Sequence, residues 1–142
     1  MGQVFSHRLR VRYVECDRQG VVFNAHYLAY IDVSMTELWR AAFGSYQAMM
    51  DRGYDLVVAE AKLKFAQSAR FDDELTLEVA VTRLGNSSIL TRHDISRDGQ
   101  PLVHGTMAHV LVDLETLRKA HLPDWVRTGL APWLLDGDGA PG

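Results

Sequence analysis

The chain has 142 residues, which is about the size of one domain and excludes two full domains. Hydrophobic residues make up 47% of it and charged residues 23%, proportions that exclude wholesale disorder and a fibrous repeat. The formal net charge of -3 argues against nucleic acid as the main partner, because nucleic-acid-binding proteins usually carry a net positive charge. We therefore predict one domain over residues 1–135 and a flexible tail over residues 136–142, which contain only Gly, Asp, Ala and Pro.

Cysteine content and hydropathy set further bounds. The single cysteine, Cys16, cannot form an intramolecular disulfide, and no Cys and His residues have the spacing of zinc ligands. No metal site is therefore expected, and a reducing cytoplasm suits the chain. The least polar stretch, residues 21–31, is well short of the roughly 20 residues that span a bilayer, so we expect no membrane insertion.

The first half of the chain is predicted to form a strand and two helices. Residues 7–13 alternate apolar or aromatic side chains with arginines, the period of two that is typical of a strand with one exposed face. Apolar residues then recur at helical spacing over residues 25–43, and their stripe is so wide that we expect other elements to cover this helix on most sides. A short helix follows over residues 46–52, with Ser45 as its predicted N-cap and Gly53 just after its end.

Four more segments with a period of two follow, and they predict the fold class. They cover residues 57–65, 75–82, 89–96 and 102–113. Short turns join the last three, so these strands are expected to be antiparallel neighbours. The order of elements predicts an α+β fold in which one long helix covers one face of a curled, five-stranded antiparallel sheet. The open edges of such a sheet favour pairing with a second copy, so we expect a homodimer.

In the first of these four segments the apolar side chains predict one face of a strand. That face consists of Val57, Ala59, Ala61, Leu63 and Phe65, which alternate with Val58, Glu60, Lys62 and Lys64.

The segment between the first strand and the long helix contains the most informative motif. An acid is followed by two residues, a glycine, an apolar pair, an aromatic residue, a polar residue and, three positions later, a tyrosine; these are Asp17, Gly20, Val21, Val22, Phe23, Asn24 and Tyr27. This motif resembles the active-site segment of hot-dog-fold acyl-CoA thioesterases of the 4-hydroxybenzoyl-CoA thioesterase type. The resemblance extends from Phe5 to about Val126.

The resemblance implies the hot-dog fold and the hydrolysis of an acyl-CoA thioester to free acid and coenzyme A. It assigns Asp17 as nucleophile or general base and the backbone amide near Asn24 as the group that polarises the thioester carbonyl. Both roles suit the chemistry, because an aspartate is ionised at neutral pH without a partner and a helix N-terminus offers unpaired N–H donors. Coenzyme A would be part of the substrate, and no separate cofactor is implied.

The same resemblance implies a set of substrate-binding residues. Gly20 would let the backbone turn tightly beside the substrate, and Phe23, His26 and Tyr27 would lie near the acyl group. In the resembling family the nucleotide lies across a subunit interface, near the turn between the third and fourth strands. The corresponding candidates here are Arg83, Ser87 and Ser88. The fold often forms a dimer of dimers, so a homotetramer is expected.

Simpler structural roles and other functions remain open for this motif. Asp17 could cap its own turn, Asn24 could be the helix N-cap while its amide serves the substrate, and Tyr27 could be a packing residue. A hot-dog hydratase or dehydratase is one alternative function, but its Asp and His lie five positions apart, whereas Asp17 and His26 are nine apart. A non-catalytic protein that binds acyl thioesters is the other.

Overall fold

The computed structural model describes residues 2–135 and contains one five-stranded sheet, with strand order β1-β3-β4-β5-β2 and every pair antiparallel. The predicted α+β fold, with one long helix against the sheet, is confirmed. The predicted tail at residues 136–142 lies outside the described part of the chain. The elements are β1 (Phe5–Arg10), α1 (Ala25–Phe43), α2 (Tyr46–Asp51), β2 (Tyr54–Phe65), β3 (Glu74–Leu84), β4 (Ser88–Arg97), β5 (Gln100–Asp113) and α3 (Asp124–Leu130).

Helix α1 has the predicted bounds, and both of its ends follow from local sequence. Large side chains on one face, among them Tyr27, Ile31 and Trp39, are at most 1% exposed and pack against the sheet. Gly44 follows the helix with φ +89°, a conformation that glycine adopts without strain. The predicted cap of α2 is also confirmed, because the Ser45 hydroxyl accepts a hydrogen bond from the Ala48 amide at 3.0 Å.

One face of α1 stays uncovered, so the prediction that this helix is covered on most sides is wrong for a single chain. Leu28 is 42% exposed and Val33 is 38% exposed. The reason is that the sheet covers only one side of the helix and ends at β2, which is an edge strand. The apolar stripe of α1 is therefore wider than the surface that this chain buries.

Strand β1 ends earlier than the predicted strand over residues 7–13. Its alternation is confirmed, but the chain leaves the strand after Arg10 and forms a 3-10 turn at Tyr13–Glu15. The cause is local: the Glu15 carboxylate accepts a hydrogen bond from the Arg12 amide at 2.8 Å, which replaces a partner in the sheet.

A β-bulge in β2 corrects the predicted face of that strand. The pairing with β5 shifts between Val58 and Glu60, which makes Ala59 an extra residue. Val58 therefore lies opposite the buried His109, on the face toward α1, and Val57 points to the other face. The predicted face holds only from Ala61 onward, because a one-residue shift exchanges the two faces of a strand.

The C-terminal part of the described chain forms a helix that the periodicity did not predict. Helix α3 buries Val126 and Leu130 against Trp39 and the C-terminal half of α1. It closes the end of the core that lies farthest from the segment preceding α1. No helix among residues 2–135 is long and apolar enough to cross a membrane.

Candidate active site

Asp17 lies near the tip of a small hairpin between β1 and α1. The Asp17 amide donates to the Val21 carbonyl at 2.8 Å, and the Phe23 amide donates to the Glu15 carbonyl at 3.0 Å. The outgoing arm is also bonded to the loop after β2, since the Val22 amide donates to the Ala69 carbonyl at 2.9 Å. The hairpin thus holds Asp17 on one arm and leads directly into α1 on the other.

The Asp17 carboxylate stabilises its own turn with one oxygen and leaves the other unpaired. Its Oδ1 accepts hydrogen bonds from the amides of Gln19 at 2.8 Å and Val21 at 3.4 Å. Its Oδ2 has no hydrogen-bond partner among residues 2–135. The side chain is exposed, so turn stabilisation and a chemical role are compatible at this position.

Gly20 closes this turn in the left-handed region of backbone conformation. Its φ is +79°, and its amide donates to the Asp17 carbonyl at 3.0 Å. A Cβ at this position would meet no atom within 4 Å. The requirement for glycine is therefore one of backbone conformation and not of space.

The N-terminus of α1 offers two backbone donors. Among the described residues the amides of Asn24 and Ala25 have no hydrogen-bond partner. The expectation that the Asn24 side chain caps the helix is wrong. Its own backbone is already helical, and the next two amides, of His26 and Tyr27, donate to the carbonyls of Phe23 and Asn24 at 2.9 and 3.3 Å.

An open cleft of about 550 Å³ lies beside the hairpin. It is lined by Asp17 and Gly20 together with two aromatic residues that the sequence did not single out, Tyr13 and Phe71. Their rings form an edge-to-face pair with centroids 5.8 Å apart, and both side chains are more than half exposed. The cleft therefore combines a free carboxylate oxygen with an apolar, aromatic wall.

The other residues predicted to lie near the acyl group have different surroundings. Phe23 is 54% exposed, and its ring contacts that of His26 with centroids 6.3 Å apart. Tyr27 is 1% exposed, and its hydroxyl accepts a hydrogen bond from the Ala69 amide at 2.9 Å. Tyr27 thus packs in the core and holds the loop after β2, while Phe23 is exposed and His26 is half-buried beside it.

The three candidates for nucleotide binding lie at the opposite end of the sheet. The hairpin follows the end of β1, which pairs with the start of β3, whereas the turn with Ser87 and Ser88 follows the end of β3. The eleven residues of β3 span about 33 Å. One chain therefore does not bring Arg83, Ser87 and Ser88 together with Asp17.

Two other acidic or nucleophilic residues belong to the site's surroundings. Glu15 is only 7% exposed, a burial that nothing in its polar sequence context indicated. The Cys16 thiol lines the cleft, but burial and then the charges of Glu15 and Asp17 raise its pKa, so the thiol stays protonated. No cluster of three or more His, Cys, Asp and Glu side chains within residues 2–135 could hold a metal ion.

The known proteins that resemble this chain include thioesterases. The family model of the thioesterase-like superfamily matches residues 11–130. The acyl-CoA thioester hydrolase YbgC of Escherichia coli is 29% identical over 84% of this chain and 90% of its own length. The 4-hydroxybenzoyl-CoA thioesterase of Pseudomonas sp. is 24% identical over 68% of this chain and 71% of its own.

A solved structure confirms the predicted hot-dog fold. Slr0204 from Synechocystis, a 1,4-dihydroxy-2-naphthoyl-CoA thioesterase, superimposes with a TM-score of 0.82 at 22% identity. The match covers 91% of this chain and 96% of Slr0204.

Proposed function

The chain belongs to the thioesterase-like superfamily and is a thioester hydrolase, and we propose that it acts on acyl-CoA with Asp17 as its catalytic carboxylate. Asp17 would serve as nucleophile or as general base toward water. The amides of Asn24 and Ala25 would stabilise the oxygen of the thioester carbonyl as it gains charge. The products are the free acid and coenzyme A.

The single observation that carries this proposal is the unpaired Oδ2 of Asp17 in an open cleft. Gln19 and Val21 fix the other oxygen, so the carboxylate is held in place while one oxygen remains available. A reacting group that is already oriented avoids much of the entropic cost of reaching the transition state. This arrangement supports a chemical role for Asp17 beyond the stabilisation of its turn.

The reaction balances with these groups and one water molecule. In the general-base route water gives a proton to Asp17, its oxygen bonds to the carbonyl carbon, and the bond from that carbon to sulfur breaks. In the nucleophile route an Asp17 oxygen forms that new bond as the bond to sulfur breaks, and water then hydrolyses the resulting anhydride to the free acid and the Asp17 carboxylate. In both routes the coenzyme A sulfur leaves and takes up a proton, and one water molecule is consumed. Negative charge builds on the carbonyl oxygen, and preorganised backbone N–H groups stabilise such charge strongly where water is excluded. The unpaired amides at the start of α1 are donors of that kind.

The substrate would be held by the cleft and by the surface beside it. Tyr13 and Phe71 provide an apolar wall for the acyl group, and the exposed ring of Phe23, with the half-buried ring of His26 against it, extends that surface. The names of the relatives give different substrates: one is a hydrolase of acyl-CoA thioesters in general, and another is a thioesterase for the aromatic 4-hydroxybenzoyl-CoA. We therefore keep both aromatic and aliphatic acyl-CoAs as candidate substrates.

Self-association is part of the proposal, because one chain leaves two apolar surfaces uncovered. On the free edge strand β2, Val58 is 55% exposed and Phe65 is 51% exposed. Leu28 is exposed on the neighbouring face of α1. Pairing of β2 with β2 of a second copy would cover both surfaces. A second copy, in a dimer or a dimer of dimers, is also what could bring a turn with Ser87 and Ser88 near Asp17.

The experiment is a measurement of thiol release from a panel of aromatic and aliphatic acyl-CoAs. Wild-type protein should hydrolyse at least one member, and Asp17→Asn should lower kcat on it by about 100-fold or more. The best substrate identifies the acyl class. Binding of acyl-CoA by the wild-type protein without thiol release would favour a non-catalytic binding function instead.

A further inference from the structure

A buried carboxylate lies two residues before Asp17 and is not among the proposed catalytic groups. Glu15 is 7% exposed, and it does not line the cleft that contains Asp17. Burying a charged carboxylate is costly unless hydrogen bonds and an opposite charge compensate for it. Its partners therefore show what the burial achieves.

Glu15 bonds to the hairpin's first arm and to α1. Its Oε1 accepts hydrogen bonds from the Arg12 amide at 2.8 Å and from the Tyr30 hydroxyl at 2.9 Å. Its Oε2 accepts from the Arg12 guanidinium at 3.0 and 2.9 Å. Burial disfavours the charge, but these bonds outweigh it and hold the pKa of Glu15 below its ordinary value.

The bond to Tyr30 adds a buried side-chain connection between two parts of the site that are otherwise joined by the backbone hydrogen bonds of the hairpin. Tyr30 is 2% exposed and lies on α1, the helix whose first amides are unpaired. Glu15 lies on the hairpin arm that carries Asp17, and its carbonyl also receives the Phe23 amide at 3.0 Å. Glu15 thus connects the arm that holds the carboxylate to the helix that holds the carbonyl-binding amides.

From this geometry we propose that Glu15, through its hydrogen bond to Tyr30, is a positioning residue that fixes the Asp17 carboxylate relative to the amides of Asn24 and Ala25. The inference rests on the proposed function, since it assigns Glu15 a role in that same site. Displacements of about 1 Å in such a pair can lower a rate by about 100-fold. Loss of the bond should therefore lower kcat more than it changes substrate binding.

The main test replaces Tyr30 by phenylalanine and compares it with a matched variant. Tyr30→Phe keeps the buried ring, including its contact with Tyr27, and removes only the hydroxyl. Tyr46→Phe is the control, because the Tyr46 hydroxyl donates to Asp55 Oδ1 at 2.7 Å in a similar bond that joins α2 to β2, outside the cleft. We expect kcat of Tyr30→Phe to fall about 10- to 100-fold with KM within about 3-fold, and kcat of Tyr46→Phe to stay within about 2-fold of wild type.

A second variant tests Glu15 itself. Glu15→Gln keeps the size of the side chain and one acceptor oxygen but removes the charge and places an amide NH₂ group against Arg12. We expect a fall in kcat of the same order, and the double variant with Tyr30→Phe should lose much less than the product of the two single losses, because both act on one connection. Should Glu15→Gln fail to fold, Tyr30→Phe still decides the question.

The outcomes separate this inference from the proposed function. If Asp17→Asn loses activity while Tyr30→Phe keeps the wild-type kcat, the positioning role is wrong and the catalytic assignment stands. Equal losses of kcat in Tyr30→Phe and Tyr46→Phe would also overturn the positioning role, since they would show a general effect of destabilisation. If the wild-type protein hydrolyses no acyl-CoA, the proposed function fails and this inference fails with it.

Discussion

At Gly20 the hairpin depends on a backbone conformation that side chains with a Cβ adopt only with strain. Its φ of +79° lies in the left-handed region, and a Cβ there would meet nothing within 4 Å. Gly20→Ala should therefore cost about 1 kcal/mol of stability through strain alone. Because Asp17 and Gly20 share one turn, we also expect a loss of kcat of about 10-fold or more.

Gly99 provides a matched control for that prediction. It lies in the turn between β4 and β5 with φ +78°, and a Cβ there would also meet nothing within 4 Å. Gly99→Ala should lose the same stability in urea unfolding and keep the kcat of thiol release. Equal kcat losses in the two variants would contradict a specific role for the Asp17 turn.

His93 makes the stability of the protein depend on pH. It is 1% exposed, and burial, followed by the nearby His109 and His104, lowers its pKa from 6.5 to about 3. The unfolded chain takes up a proton at His93 below about pH 6.5 and the folded chain does not, so stability is full above that pH and falls below it. From pH 7 to pH 5 the loss is about 2 kcal/mol for this residue.

The measurement is the free energy of unfolding in urea at pH 7 and at pH 5. Between pH 7 and pH 5 the free energy of unfolding of His93→Gln should fall less than that of the wild-type protein. The free energy of unfolding of His121→Gln, a substitution at an exposed residue, should fall as much as that of the wild type. A residual fall is expected in His93→Gln, because burial also lowers the pKa of His109. The same fall in wild type and His93→Gln would contradict this account.

Residue types in the motif could be predicted, but their contacts could not. Asp17 and Gly20 stand out because the motif around them resembles the active-site segment of hot-dog-fold acyl-CoA thioesterases; an isolated Asp in such a turn would suggest only a cap. Glu15 did not, because a carboxylate in a polar segment is normally exposed and its partner Tyr30 lies fifteen positions later in the chain. The Asn24 side chain was misjudged because N-cap preference does not reveal whether the backbone is already helical.

Among the elements, long periodic segments were predictable; the short helix α2 was predictable from its Ser45 cap and the following Gly53, whereas α3 was not. Helix α1 has nineteen residues with a sustained apolar stripe, and its predicted bounds are confirmed. Helix α3 has only seven residues, too few for a helical period to be distinguished. The bulge at Ala59 was also hidden, since small and β-branched apolar residues occupy both faces of β2 around it.

The contact between α3 and α1 leads to a prediction at this scale. A Cβ at Gly129 would overlap the ring of Phe43, which is itself packed against Trp39 and Trp125. Gly129→Ala should therefore lower the free energy of unfolding by about 1–3 kcal/mol, although alanine favours a helix by about 1 kcal/mol over glycine.

Urea unfolding measures that effect, and thiol release provides its control. Helix α3 packs at the far end of the core, so kcat per folded molecule should stay at the wild-type value. A variant as stable as wild type or more stable would show that the packing between α1 and α3 is not as tight as described.

For the whole molecule, the uncovered face of α1 and the free edge of β2 determine how copies associate. Periodicity could predict this sheet, but it could not show that the apolar stripe of α1 exceeds what one chain buries. We expect light scattering to give a dimer or tetramer of the 16.0 kDa chain. Leu28→Lys should shift the mass toward the monomer, because it places a charge in the proposed interface.

Leu117→Lys is the matched control for that variant. Leu117 is 73% exposed on the loop after β5 and is on neither α1 nor β2, so its substitution should leave the mass unchanged. A wild-type protein that is monomeric at micromolar concentration would contradict the proposed association.

The central claim is that Asp17 does chemistry and does not merely stabilise a turn, and Asp113 allows the two to be separated. Asp113 Oδ1 accepts hydrogen bonds from the amides of Glu115 at 2.8 Å and Thr116 at 3.0 Å, the same kind of turn at the end of β5. We would measure thiol release by Asp17→Asn and Asp113→Asn side by side on the best acyl-CoA. The account predicts a loss in kcat of about 100-fold or more for Asp17→Asn only; equal activity of the two variants would contradict it.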